Sequence, residues 1–169
     1  LLTENGTAAY VNTGVWAAKA IQAATLLGTT PVIASSEDKK FTYIPKGFEI
    51  PADADYLHLT SNNTIYGTQI KEFPKCNIPL VCDMSSDIFS RKVNAKDFTI
   101  IYAGAQKNMG AAGNTMVLVK KDALGKTGRK MLSMLDYNVH IKGGSMYNTP
   151  PVFSIYVTLL TLQWLKKNG

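Results

Sequence analysis

Phe98-Thr99-Ile100-Ile101-Tyr102-Ala103-Gly104-Ala105-Gln106-Lys107-Asn108 runs from an apolar, β-branched and aromatic segment straight into small residues and then a lysine. Five residues of that composition at Phe98–Tyr102 predict a strand covered on both faces, and the small residues after it predict a tight exit loop. The same grammar recurs on either side. Ile78-Pro79-Leu80-Val81-Cys82 leads directly to Asp83, and Tyr56-Leu57-His58-Leu59-Thr60 leads to the polar loop Ser61-Asn62-Asn63-Thr64. Thr115-Met116-Val117-Leu118-Val119 runs into Lys120-Lys121, and Pro31-Val32-Ile33-Ala34-Ser35 reads as a shorter buried strand. Residues 36–55 are polar with Pro and Gly, which predicts loop with at most one short element.

Helices frame these strands. Thr13 is a candidate cap for a helix through Val15–Leu27, rich in alanine and leucine and ended by Gly28. A last helix is expected to start around Pro150-Pro151 and to carry Val152, Ile155, Tyr156, Leu159, Leu162 and Trp164 as far as Lys167. Strands of this kind alternating with helices predict an α/β layer structure on a mixed, mostly parallel sheet. No internal repeat and no low-complexity segment interrupts it.

Composition narrows the function classes. The 169 residues are 46% hydrophobic and 18% charged, enough apolar material for one sizeable core. No apolar run reaches the length of a membrane span, so a soluble protein is expected. The chain opens Leu1-Leu2-Thr3-Glu4, without Met and without a basic segment followed by an apolar one. No secretory signal is visible there, and a truncated or processed start is expected. The formal charge is +6, but the lysines come as scattered pairs (Lys39-Lys40, Lys120-Lys121, Lys166-Lys167) without alternating aromatics. That pattern argues against a nucleic-acid partner and suits a mild attraction for an anionic cofactor or substrate. Cys76 and Cys82 fit no metal spacing and are expected to be reduced, small apolar fillers. Asn5-Gly6-Thr7 and Asn62-Asn63-Thr64 match a glycosylation pattern that has no meaning without secretion.

Three successive strands thus end in polar groups: Asn62, Asn63 and Thr64; then Asp83; then Gln106 and Lys107. In open α/β sheets, ligands gather at the carboxyl ends of strands. An amine and a carboxylate on neighbouring strand ends can face one bound molecule. Pyridoxal phosphate needs that pair, an amine for its aldehyde and an acid for its pyridine nitrogen. A desolvated lysine is nucleophilic and can afterwards act as general acid and base. The same two residues also occur as a structural ion pair or an exposed lysine in unrelated α/β domains, so the pattern leaves both readings open.

The residues themselves resemble one family. Ile101-Tyr102-Ala103-Gly104-Ala105-Gln106-Lys107-Asn108-Met109-Gly110 is similar to the cofactor-lysine signature of phosphoserine aminotransferases, class V enzymes of PLP fold type I. Cys82-Asp83-Met84-Ser85-Ser86 with Ser90-Arg91 resembles that family's aspartate segment. Ser145-Met146-Tyr147-Asn148-Thr149-Pro150-Pro151 resembles the segment entering its long helix, and Val11-Asn12-Thr13-Gly14-Val15-Trp16 the segment with its ring-stacking tryptophan. The matches keep the family's order and cover nearly the whole chain. Asn63 stands where the family usually has glutamate, and Ala111 where it usually has proline.

The resemblance implies a three-layer α/β domain over residues 1–169, a partial PLP-binding large domain lacking an N-terminal segment and the C-terminal small domain. It implies pyridoxal 5'-phosphate as cofactor and no metal. Lys107 would be the catalytic lysine and Asp83 the partner of the ring nitrogen. Trp16 would stack on the ring, Thr64 would hydrogen-bond the cofactor, and Gln106 would reach its phosphate. Asn148 and Thr149 would hold the phosphate bound in a partner subunit, so a cytoplasmic homodimer with a shared site is expected. The reaction implied is amino transfer between glutamate and 3-phosphohydroxypyruvate, giving 2-oxoglutarate and O-phosphoserine in serine biosynthesis. Two other readings stand beside it: a different fold-type-I PLP enzyme such as a desulfurase, and a non-catalytic interaction core. His58 and His140 match no catalytic position and are expected to be structural. Arg91 fits the family pattern without an assigned role, an ion pair being the alternative. Gly110-Ala111-Ala112-Gly113 lacks the context of a dinucleotide fingerprint and is expected to frame the turn after Lys107.

Overall fold

A computed structural model describes residues 1–168; Gly169, the last residue of the expected domain, lies outside the described residues. The elements are β1 (Ala8–Asn12), α1 (Val15–Ala24), β2 (Val32–Ser35), β3 (Tyr56–Thr60), β4 (Asn62–Asn63), β5 (Thr68–Gln69), β6 (Leu80–Asp83), β7 (Ile100–Gly104), β8 (Thr115–Val119), α2 (Tyr137–Lys142) and α3 (Val152–Asn168). Six strands form one sheet in the order β2-β1-β3-β6-β7-β8. All neighbours are parallel except β8, which pairs antiparallel with β7. The mixed, mostly parallel sheet is the one expected from the apolar runs. β4 and β5 form a separate two-stranded hairpin where a plain polar loop was expected.

Two strands slide along the sequence relative to expectation. β6 starts two residues late because Pro79 has no N–H to donate, although its carbonyl still accepts from Leu57 N at 2.9 Å. β7 also starts at Ile100: Phe98 follows a 3₁₀ turn over Ala95–Asp97 and puts its buried ring edge-on to Phe73, centroids 4.8 Å apart. Ala103 and Gly104 extend the strand instead, pairing with Met116 and Thr115. The interior strand β1, next to the edge strand β2, was not expected at all. Its alanines are poor strand formers in isolation, yet Ala8 and Ala9 are wholly buried between β2 and β3, where small side chains admit layers on both faces.

The helices need two corrections. Thr13 does not cap α1: it is fully buried and donates its hydroxyl to Asn63 Oδ1 at 3.0 Å, leaving Gly14 as the N-cap without a side-chain bond. The helix also ends at Ala24, three residues short of Leu27. The Thr25 hydroxyl turns back to Gln22 O at 2.7 Å, and Leu26 and Leu27 are left exposed. α3 begins after Pro150-Pro151 as expected, but buries only Ser154 and Thr158.

In-register neighbours on parallel strands share a face, so the register sorts the sheet. Ala9, Val11, Leu57, Leu59, Leu80, Cys82, Ile101 and Ala103 lie on the apolar face, packed by Ile44, Phe48, Ile50 and Phe73 from the connecting segments. The opposite face carries Tyr10, His58, Thr60, Asp83 and Tyr102, paired step by step from β1 to β7. α1 packs on this second face, where Ala20, Ile21 and Ala24 meet Tyr10 and Tyr56. The expectation of strands covered on both faces holds in the sheet's centre and fails at its margins, where Val32 of β2 and Leu118 of β8 are exposed.

Candidate active site

The carboxyl ends of β1, β3, β6 and β7 make one rim, and each delivers a polar group to it. β1 turns through Thr13-Gly14 into α1, whose first turn presents Trp16, 39% exposed. β3 leads through the β4–β5 hairpin to Thr64, fixed from beneath by the Thr13–Asn63 hydrogen bond and by Asn63 Nδ2 donating to Thr68 Oγ1 at 2.9 Å. β7 continues through Ala105 to Lys107; Ala105 N donates to Asn114 O, and Met109 N and Gly110 N both donate to Ala105 O. The lysine is thus held in a tight loop.

Lys107 Nζ donates to Thr64 Oγ1 at 2.8 Å and lies 4.9 Å from the centroid of the Trp16 ring. Lys107, Thr64 and Trp16 are therefore brought together from three strand ends. Lys19, one turn along α1, puts its own ammonium 4.9 Å from the same ring, a neighbour sequence reasoning missed although Trp and Lys three apart on a helix share a face.

Asp83 ends β6 on the face that α1 covers. Ser85 N donates to Asp83 Oδ1 at 2.9 Å and Ser85 Oγ to the same oxygen at 2.6 Å, so both described hydrogen bonds fall on one carboxylate oxygen and leave Oδ2 open. Ser85 Oγ also accepts from Gly104 N at 3.1 Å, tying the aspartate turn to the strand that leads to Lys107. Ser85 was not singled out in the sequence, although Asp-x-Ser is an Asx-turn signal. Gln106 folds back against Gly104, where an added Cβ would stand 2.6 Å from Oε1. Asn148 and Thr149 do not join this cluster: the amide of Asn148 donates to Thr149 O, and Asn148 lines a separate cavity of about 520 Å³ between β8, α2 and α3.

An amine, an open carboxylate oxygen and an exposed indole on one rim fit a flat heterocycle with an aldehyde and a basic ring nitrogen. The unpartnered buried Oγ1 of Thr60, in register with Asp83, adds a polar atom on the same face. Among the described residues no group of His, Cys, Asp and Glu could hold a metal ion.

The remaining candidates lie outside the Lys107 cluster. His58 is 4% exposed, shares a 2.8 Å hydrogen bond with Tyr102 Oη, and has its imidazole pulled down to about 4 by burial. His140 Nε2 meets Met134 O at 2.9 Å. Arg91 donates to the carbonyls of Lys71 and Ile70 and stacks on Phe73, centroid 5.2 Å away, so it clasps backbone where an ion pair was the alternative. Both cysteines are free, and burial pushes the Cys82 thiol well up. Gly110 and Gly113 do frame the turn after Lys107, and each also admits α3: an added Cβ would stand 3.3 Å from Thr158 N and 2.7 Å from Ser154 Oγ respectively.

Comparison with known proteins bears on the family and the fold. The family model described as "Aminotransferase class-V" matches residues 2–169. The phosphoserine aminotransferase of Flavobacterium johnsoniae is 64% identical over 169 residues, covering 100% of this chain and 48% of that protein. That of Bacteroides thetaiotaomicron is 56% identical over 162 residues, 96% of this chain and 46% of the relative. Among solved structures, phosphoserine aminotransferase from Bacillus circulans subsp. alkalophilus superposes with a TM-score of 0.93 at 45% identity, over 99% of this chain and 47% of that one. A PLP-bound phosphoserine aminotransferase from Trichomonas vaginalis gives a TM-score of 0.85 at 30% identity, over 99% and 48% of the two chains. The chain spans about half the length of the curated relatives it matches.

Proposed function

Because the chain belongs to the class-V aminotransferase family, we propose that it is the cofactor-binding part of a phosphoserine aminotransferase using pyridoxal 5'-phosphate. The observation that carries this reading is the meeting of Lys107 Nζ with Thr64 Oγ1 and the Trp16 ring on the rim that also holds Asp83. When bound, the cofactor supplies an electron sink, its protonated pyridine ring drawing charge from the substrate's α-carbon. This chain supplies the groups around the ring. Asp83 offers the open Oδ2 to the ring nitrogen while Ser85 fixes Oδ1. Trp16 gives a flat face for stacking, Thr64 hydrogen-bonds the cofactor, and Gln106, folded against Gly104 here, is the residue that would turn to its phosphate. Lys107 is the residue for the aldehyde, and its Nζ afterwards takes and returns the proton moved during amino transfer. Thr64 aims that nitrogen beforehand.

The substrates in this reading are glutamate and 3-phosphohydroxypyruvate, and the products 2-oxoglutarate and O-phosphoserine. A homodimer with a shared site is supported by two features: Asn148 and Thr149 stand apart from the Lys107 cluster, and the apolar side chains of α3 are widely exposed beside them. A cytoplasmic setting is supported by the free cysteines. A desulfurase would need a reactive, mobile thiol; Cys82 is wholly buried within β6, and Cys76 donates to Ile78 O.

Borohydride reduction of the cofactor-loaded protein, followed by peptide mapping, tests the assignment: the label is expected on Lys107. A label on any other lysine overturns it. Phosphoserine should serve as amino donor where alanine and cysteine do not, and the reverse preference would move the chain to another reaction of the family.

A further inference from the structure

The buried polar groups on the face beneath Asp83 have no part in the site as described. His58 lies on β3 and Tyr102 on β7, with β6 between them. Neighbouring strands stand about 4.8 Å apart, so these two side chains rise from backbones roughly two such spacings apart. They nevertheless approach to 2.8 Å, Nε2 to Oη, which requires both to lean over β6. The register fixes where. His58 pairs with Val81 and Tyr102 with Asp83, so the bridge crosses β6 between those two residues, just on the amino side of Asp83. It is extended sideways by the Tyr10 ring, stacked on His58 at 4.9 Å, and by the Tyr10–Tyr56 hydroxyl contact of 2.9 Å.

Apolar side chains could fill this space without the desolvation cost of burying hydroxyls and an imidazole. His58 Nδ1 is buried and has no partner. A buried N–H without an acceptor is rarer in folded proteins than an under-used acceptor. Hydrogen-bond balance therefore assigns the proton to Nε2, which donates to Tyr102 Oη. The residue directly across the register from Tyr102 is Asp83, near enough for its charge to act on the phenol. Both members of the bridge stay uncharged at neutral pH: burial draws His58 down to about 4, and burial together with the charge of Asp83 pushes Tyr102 well above the usual phenol range.

We propose that Tyr102, held in place by His58, is a positioning residue for Asp83: the bridge across β6 closes the space behind the carboxylate and keeps it at the strand's end, facing the pyridine nitrogen. Ser85 fastens the carboxylate from the loop side and Tyr102 braces it from the sheet side. This inference rests on the cofactor reading given above and adds two residues to it.

The test uses the intact protein with pyridoxal 5'-phosphate labelled with nitrogen-15 in the ring, comparing wild type, Tyr102→Phe, His58→Leu and His58→Gln. In wild type, the ring-nitrogen resonance should report the protonated form at neutral pH. Tyr102→Phe and His58→Leu should shift it toward the unprotonated form and weaken cofactor binding about tenfold, the scale of one misplaced charge-assisted hydrogen bond. His58→Gln, which keeps an amide donor near the Nε2 position, should restore most of both. A purely structural role would leave the nitrogen resonance unmoved. Wild-type resonance and affinity in both Tyr102→Phe and His58→Leu overturn the proposal, and so does loss of cooperative folding in either, which would make the bridge a stability element only. Failure of wild type itself to bind the cofactor, or to be labelled at Lys107, would instead overturn the underlying cofactor reading.

Discussion

Acid should destabilise this chain through His58 in a defined window. The imidazole is buried against Tyr10, its Nε2 is engaged by Tyr102 Oη, and its Nδ1 faces no acceptor. A second proton would leave an unpaired, charged N–H in the interior, so burial holds the folded value at about 4 against 6.5 for the free side chain. Between those values the unfolded chain binds a proton that the folded chain refuses. Stability from this group is therefore complete above pH 6.5 and falls by about 1.4 kcal/mol for each pH unit below it. Over the whole window the loss approaches roughly 3 kcal/mol, a large part of a typical domain's stability. Urea unfolding of wild type and His58→Phe at a series of pH values isolates the effect. The substitution shifts stability by an offset at every pH, and the carboxylates and His140 are common to both proteins and cancel. The gap between the two should change steadily in the mutant's favour from pH 6.5 down to 4. A gap that stays constant across that range would refute the burial argument, and a gap that moves the other way would mean that His58 gains a partner when charged.

Two further outcomes follow from backbone packing. Gly113→Ala should cost about 1–3 kcal/mol in denaturant unfolding, because the residue holds φ +125° and its new Cβ would stand 2.7 Å from Ser154 Oγ; the variant Ser154→Ala should not relieve the conformational part of that loss. Arg129→Ala should cost about 1.5–3 kcal/mol and raise amide exchange in the first residues, since the guanidinium gathers the carbonyls of Leu2, Thr3, Glu4 and Leu27. Unchanged exchange there would show that the clasp is not what holds the N-terminal segment.

What the sequence makes legible here is what local chemistry determines. The runs at Tyr56–Thr60 and Thr115–Val119 became strands at those bounds because nothing at their ends competes. Pro79 and Phe98 shifted two others, the first by lacking an N–H and the second by packing on Phe73. β1 was invisible because Ala8 and Ala9 owe their place to two neighbouring strands, a tertiary reason that no window of sequence contains. Thr13 has the same origin: an ideal capping residue by type, it is claimed by Asn63, which lies fifty positions away in sequence. Lys107 and Asp83 could be picked out because their strands run straight into them. The polar bridge behind Asp83 could not, since His58 and Tyr102 are separated by an intervening strand and look like ordinary members of apolar runs.

The last helix shows the limit of pattern most sharply. A run as apolar as Val152-Phe153-Ser154-Ile155-Tyr156-Val157-Thr158-Leu159-Leu160 invites a core reading, with the hydroxyl residues outward. The structure inverts it. Ser154 and Thr158 are the buried pair, four apart on one stripe, because the loop after Lys107 approaches so closely at Gly110 and Gly113 that only small side chains fit between. Ser154 Oγ donates to Ala112 O, and Asn114 Nδ2 donates to Thr158 Oγ1, so the helix is fastened to the lysine loop by polar contacts. Val152, Phe153, Ile155, Tyr156 and Leu159 are then forced outward. In the proposed dimer this has a consequence for the site: the helix that steadies the loop of Lys107 is also the one whose entrance carries Asn148 and Thr149. Covering its apolar side would therefore set the position of one subunit's lysine loop and of its phosphate-binding turn together, through a single rigid element.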